Sequence, residues 1–422
     1  MKQLVRVLLV LCFGVSAMAE EDTNGSKISL EAGLGYSSNP YSLTAPQNPT
    51  GDMLARIAPQ FLFTTHGRKL ALIVDGSANM GALFGLNGNP GFLVFNGVAN
   101  GSSTYNAGGT VSFFTRGSLN ASRNLGELFV GNMTNLTGKA IVGSTIQPGG
   151  GKFALTLQGE YQVQGYPGIT FLGQTTVPGL LNNQAYYLAS RLSWQFLPKT
   201  ALYAEGRYGF YENIDANNNH LTINPLWVGG GLTGRITPTV VANVSVYLSR
   251  IFIKSGTQSL KGTSFPMGAQ AGFTWNFASH SSLSLNFRRE MTPAPIFLDQ
   301  VSNLFTLKYD QALFGRLVMT FAPQAGLLEY GKPDTTLSTV RYRIRDSYQN
   351  RLDFFAGLQA TLVYSFNDWL AMGVSGEGFW RWTNTDPNLV LTQTGWVATG
   401  DGTDYQSLFT RYQANAFVRL TY

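Results

Sequence analysis

Apolar and polar residues alternate along most of this chain. In the last twelve positions Tyr412, Ala414, Ala416, Val418, Leu420 and Tyr422 share one face of an extended strand, and Arg411, Gln413, Asn415, Arg419 and Thr421 share the other. Successive side chains of a strand point to opposite sides, so one side of this segment is greasy and the other wet. The same period recurs upstream. Phe153, Leu155, Leu157, Gly159, Tyr161 and Val163 oppose Thr156, Gln158, Glu160 and Gln162; Leu202, Ala204, Gly206, Tyr208 and Phe210 oppose Tyr203, Glu205 and Arg207. Over 352–366 eight apolar or aromatic residues face away from Asp353, Gln359, Thr361 and Ser365. Similar segments lie near 27–36, 53–65, 69–83, 134–147, 183–196, 223–236, 239–251, 265–277, 282–292, 302–313, 316–330 and 369–382. By period and length these are strands.

The connections alternate in length. Short turns at His66-Gly67-Arg68, Pro148 to Gly151, Leu197-Pro198-Lys199, Thr237-Pro238, Ala278 to Ser281, Phe314-Gly315 and Asn367-Asp368 alternate with longer polar stretches at 37–52, 84–101, 164–182, 212–222, 252–264, 331–350 and 383–406. Trp194, Phe196, Trp275, Phe277, Tyr364, Phe366 and Trp369 stand beside the short turns. Short turns at one end, long loops at the other and aromatic girdles belong to outer-membrane barrels. The expected fold is therefore all-β: a transmembrane antiparallel β-barrel with up-and-down meander order. The clear segments make sixteen strands. The stretch 102–133 either adds a pair, with Asn106 to Arg116 as one strand and part of 124–133 as the other, or folds inward as one loop. Eighteen strands is the preferred count.

Composition agrees. Only 12% of residues are charged, against about 25% in ordinary soluble proteins, while aromatics reach 13% and glycines number 48. Lys2 and Arg6 before the run Val7 to Phe13, with Ala17-Met18-Ala19 after it, read as a secretory signal peptide over residues 1–19. The expected mature domain is then 20–422, in the bacterial outer membrane. Cys12, the only cysteine, lies within the leader, so no disulfide is expected in the mature chain. The formal charge of +6 is too mild to point to nucleic acid.

If apolar faces meet lipid, the charges line the bore. Parity puts Arg191, Arg207, Arg235, Arg288, Lys308, Arg351, Arg411 and Arg419 inward, together with Glu160, Glu205, Glu290, Asp310, Asp353 and Glu377. A surplus of inward arginine biases a pore towards anions; the plainer reading, favoured here, is that inward charges pair across strands and stiffen the wall. Arg341, Arg343 and Arg345 alternate within 331–350 and form a candidate basic ladder at the mouth, with solvated arginines or contacts to lipopolysaccharide phosphate as the alternative. The three histidines, His66, His220 and His280, fall in turns or loops, and the Asp215–His220 pair reads as a solvated loop rather than a water-activating dyad. No catalytic residue, metal ligand or cofactor is expected.

Gly35-Tyr36-Ser37-Ser38-Asn39-Pro40 resembles a turn found in β-barrel porins of Gram-negative bacteria, and the terminal strand ending in Tyr422 resembles the C-terminal signal by which such barrels are recognised for insertion. The resemblance implies a porin-like outer-membrane protein. The partners expected are membrane lipid, lipopolysaccharide, the barrel-assembly machinery and, for a secretion role, a periplasmic component. In size and lumen charge the chain is also similar in kind to the alginate exporter, a channel for an acidic polysaccharide. The leading expectation is a passive channel for small solutes, anionic ones among them; the alternatives are an export conduit for an acidic exopolysaccharide and a non-transporting surface barrel, either adhesin or hydrolase.

Overall fold

The computed structural model describes residues 25–38, 51–85, 92–125, 132–149, 151–165, 170–171, 174–175, 181–215, 220–255, 258–260, 267–278, 280–292, 300–330, 352–383, 389–392, 395–398 and 407–422. Eighteen long strands form one closed antiparallel barrel. They are β1 (Gly25–Ser37), β2 (Asp52–His66), β3 (Leu70–Leu83), β4 (Phe92–Asn106), β5 (Val111–Leu125), β6 (Asn132–Ile146), β7 (Phe153–Gly165), β8 (Leu181–Leu197) and β9 (Thr200–Asp215), then β10 (His220–Arg235), β11 (Val240–Ser255), β12 (Met267–Ala278), β13 (Ser281–Thr292), β14 (Gln300–Leu313), β15 (Leu317–Tyr330), β16 (Leu352–Ser365), β17 (Leu370–Thr383) and β18 (Ser407–Thr421). Each pairs with its sequence neighbours. β18 pairs with β1 from Ser29↔Thr421 to Ser37↔Gln413, and Ile28 and Tyr422 exchange both backbone hydrogen bonds at 2.7 Å. Closure leaves no free edge, which is the condition for a sheet to live in lipid.

The register fixes two faces. Leu188 (70% exposed), Leu192, Val228, Val246 and Leu248 project outward as a continuous apolar band. Aromatics edge it at both ends. Trp194 packs between Phe153 and Phe196, and Phe277 between Trp275 and Tyr309, beside the short turns. Tyr161 with Tyr186, and Trp380 with Tyr412, mark the other border. Tyr186 and Trp194 are eight residues apart on β8. At about 3.3 Å per residue and a tilt near 40° that is roughly 20 Å of height, close to the thickness of an outer-membrane apolar band. With the short turns on the periplasmic side, this architecture places the chain in the Gram-negative outer membrane.

Two sequence expectations are corrected. The stretch 84–101 is not a loop: from Phe92 it belongs to β4, and the turn after it falls at 107–110, inside the strand expected from Asn106 to Arg116. The outward positions of β4 explain the error. They are Phe95, Gly97, Ala99, Gly101, Ser103 and Tyr105, mostly too small to show as apolar peaks. The loop expected at 212–222 is also shorter, because β9 runs to Asp215 and β10 starts at His220.

Candidate functional site

The inner wall at mid-height carries the chemistry, densest on β6 to β10. Glu160 of β7, with its side chain only 4% exposed, accepts from Lys139 Nζ of β6 at 2.7 Å and from Arg207 Nη2 of β9 at 2.9 Å. The Gln162 amide also donates to it. β8 stands between β7 and β9, so the Glu160–Arg207 pair reaches across an intervening strand on the concave side. A carboxylate removed from water needs such partners, because an unpaired buried charge costs several kcal/mol. The Arg207 guanidinium is stacked as well, with its carbon 3.8 Å from the Tyr187 ring centre and 5.1 Å from that of Trp227.

Aromatic rings on this wall lie over glycine. A Cβ on Gly209 would come within 2.4 Å of the Tyr187 ring, and one on Gly231 within 2.8 Å of the Tyr203 hydroxyl. Only a residue without a side chain lets those rings settle flat on the neighbouring strand. Arginine then forms a third layer. Arg191 sits 3.5 Å over Tyr203, a distance at which only a face-on guanidinium fits. Stacking occupies the faces of the group and leaves its in-plane N–H edges to the bore.

Arg191 and Glu205 are direct partners in the β8–β9 register, yet their side chains form no ion pair, and neither side chain has any other ion pair or hydrogen bond among the described residues. Both line a cavity of about 430 Å³ in the wall, together with Arg207, Trp227, Tyr247 and Arg288. Arg288 is taken by Glu290, its neighbour two residues on.

Halfway round the barrel lies a second cluster. Glu31 of β1, with its side chain 5% exposed, bridges Arg56 of β2 at 3.0 Å and Arg419 of β18 at 2.9 Å. Arg411 of β18 pairs with Glu377 of β17 at 2.8 Å, and buried Asp353 of β16 with Arg381 of β17. Lys308 pairs with Asp310 at 2.8 Å on β14.

Of the residues read from sequence as lumen candidates, Arg191, Arg207, Arg288, Lys308, Arg411, Arg419, Glu160, Glu205 and Glu377 share the register face opposite the apolar band. Arg235 ends β10 at the short-turn rim and is exposed. Arg351 and the mouth candidates Arg341, Arg343 and Arg345 lie outside the described residues, as do the side chains of Asp215 and His220. Glu31, Arg56, Lys139 and Arg381 were missed, although the same parity within their own strands would have found them. Among the described residues no group of three His, Cys, Asp or Glu is placed to hold a metal ion.

No family model matches the chain, and no curated protein matches it. Among solved structures it is similar to the siderophore receptor PirA from Pseudomonas aeruginosa, at 8% identity, 96% of this chain, 81% of that one and a TM-score of 0.42. It is also similar to the FrpB iron transporter from Neisseria meningitidis, at 8% identity, 95% and 82% coverage and a TM-score of 0.47. At these identities the likeness is one of barrel form, and neither solute nor mechanism follows from it.

Proposed function

We propose that the protein is a passive outer-membrane channel for small hydrophilic solutes with a modest preference for anions. The observation that carries this reading is the polar inner wall of a closed eighteen-strand barrel. Barrels of 16–18 strands are wide enough to keep an aqueous channel, whereas eight-stranded ones fill with side chains. With strands about 4.8 Å apart and tilted near 40°, eighteen of them give a backbone diameter of roughly 36 Å. Most inward charges among the described residues are neutralised in place and Arg191 is offset by the neighbouring Glu205, so the anion preference is assigned to inward arginine that no carboxylate offsets, Arg116 among it. In this reading the barrel does no covalent chemistry; solutes follow their gradients. Lipopolysaccharide phosphate is the partner proposed for Arg250, which sits on the outward face beside Phe252, 4.8 Å from its ring. The C-terminal strand, with Tyr422 98% exposed, is the segment proposed to meet the assembly machinery.

Planar-bilayer recording of the purified protein tests the channel. The expected result is stepwise ohmic conductance in KCl, with a reversal potential in a salt gradient displaced towards chloride. Silent membranes at every salt concentration, with protein shown to be inserted, would overturn it.

A further inference from the structure

Among the described residues, five arginines of the inner wall lie on aromatic rings: Arg116 on Phe114, Arg191 on Tyr203, Arg207 on Tyr187, Arg411 on Phe379 and Arg419 on Phe417. Three of them, Arg207, Arg411 and Arg419, also hold a carboxylate. Arg191 holds none, although Glu205 stands directly opposite it on the next strand. The Tyr203 ring accounts for this. At 3.5 Å it pins the guanidinium to the wall, and the carboxylate beside it is left without a cation. The two charges thus stand side by side, opposite in sign, each with its hydrogen-bonding edge unused. They face a cavity of about 430 Å³, the volume of roughly fourteen liquid waters. The other charged groups on its lining are engaged: Arg207 with Glu160, Arg288 with Glu290.

We propose that this cavity is a binding site for small zwitterionic solutes of amino-acid to dipeptide size, a proposal that rests on the channel reading and names a solute class for it. The solute carboxylate takes the in-plane edge of Arg191, which matches a carboxylate in a bidentate fork. Its ammonium takes Glu205. A simple anion satisfies one of these groups and leaves the other bare; a cation does the reverse. Only a solute carrying both charges neutralises both at once. The contacts are open to water, so binding is weak and reversible, as passage through a channel demands.

The test is block of ion current through the full-length protein by three matched probes. Glycylglycine carries both charges, N-acetylglycylglycine only the carboxylate, and glycylglycinamide only the ammonium. Glycylglycine is expected to half-block at a concentration about fivefold lower than either analogue, the size of one partly exposed charged contact. Arg191→Gln should bring glycylglycine to the level of the amide for the native protein, and Glu205→Gln to that of the acetylated probe. Equal half-block by all three probes on the native protein, a comparison that needs no variant to fold, would overturn the site while leaving the channel intact. So would a variant that weakens all three alike. Equilibrium dialysis of labelled glycylglycine separates the remaining cases. Retention that Arg191→Gln abolishes, without conductance, supports the site and removes the channel; neither retention nor conductance removes both.

Discussion

The two charged regions of the inner wall face each other across the bore, and they are built differently. At the seam, where the last strand meets the first, Glu31 is buried between Arg56 and Arg419, and Glu377 holds Arg411. Its charges tie β17, β18, β1 and β2 together at the one pairing that local hairpins cannot supply. On the opposite wall Glu160 does the same for β6, β7 and β9. Beside it, however, aromatic rings stand on glycine and hold Arg191 away from Glu205. About 36 Å of backbone diameter separates the regions, several times the screening length of about 8 Å at physiological salt. They act independently. One kind of inward charge closes the barrel; the other is left for what passes through it.

The largest expected effect is at the seam. Glu31→Leu leaves Arg56 and Arg419 without their shared carboxylate at a nearly water-free position. Removing one partner of a buried pair costs about 3–5 kcal/mol, and the lower figure applies because both arginines reach water in part. Urea unfolding of the detergent-folded barrel should show a loss of about 3 kcal/mol. A loss below about 1 kcal/mol would mean that the backbone ladder between β1 and β18 closes the barrel unaided.

On the opposite wall the corresponding lesion is steric. Gly231→Val puts a branched side chain where Tyr203 and the β11 backbone already stand, with Val244 O only 2.2 Å from the new Cβ. Overpacking of this kind costs about 1–3 kcal/mol. It should also lift Tyr203 and release Arg191, so that glycylglycine block weakens together with stability. Intact block in a destabilised variant would separate the ring from the positioning of the arginine.

Much of this could be read from the sequence and some could not, for physical reasons. Leu188, Leu192, Trp194, Leu202 and Phe210 put large apolar groups on most of the outward face, so alternation reveals β8 and β9 and the inward faces carrying Arg191, Glu205 and Arg207. On β4, Gly97, Ala99, Gly101 and Ser103 occupy the lipid side, the contrast with inward Asn96, Asn100 and Ser102 disappears, and the strand reads as loop. Parity assigns a face but not a partner. That Arg207 reaches Glu160 two strands away, whereas Arg191 turns from its direct neighbour Glu205, depends on Tyr187 and Tyr203 lying flat over Gly209 and Gly231. Glycine opposite tyrosine is visible in a sequence only once the register is known.

The smallest effect expected is on ion selectivity, and it sharpens the contrast between the two regions. Arg191→Gln removes the bore-facing charge that offsets Glu205, leaving that carboxylate in excess on that wall. In 0.1 M KCl, where the screening length is about 10 Å, the permeability ratio should move towards potassium by less than about twofold. In 1 M KCl the screening length falls to about 3 Å and the shift should disappear. The seam should behave oppositely towards salt: Glu31 is shielded by protein rather than by electrolyte, so the stability loss of Glu31→Leu should persist at both concentrations. A selectivity shift for Arg191→Gln that survives 1 M KCl would place its guanidinium in a dry constriction instead of the open wall.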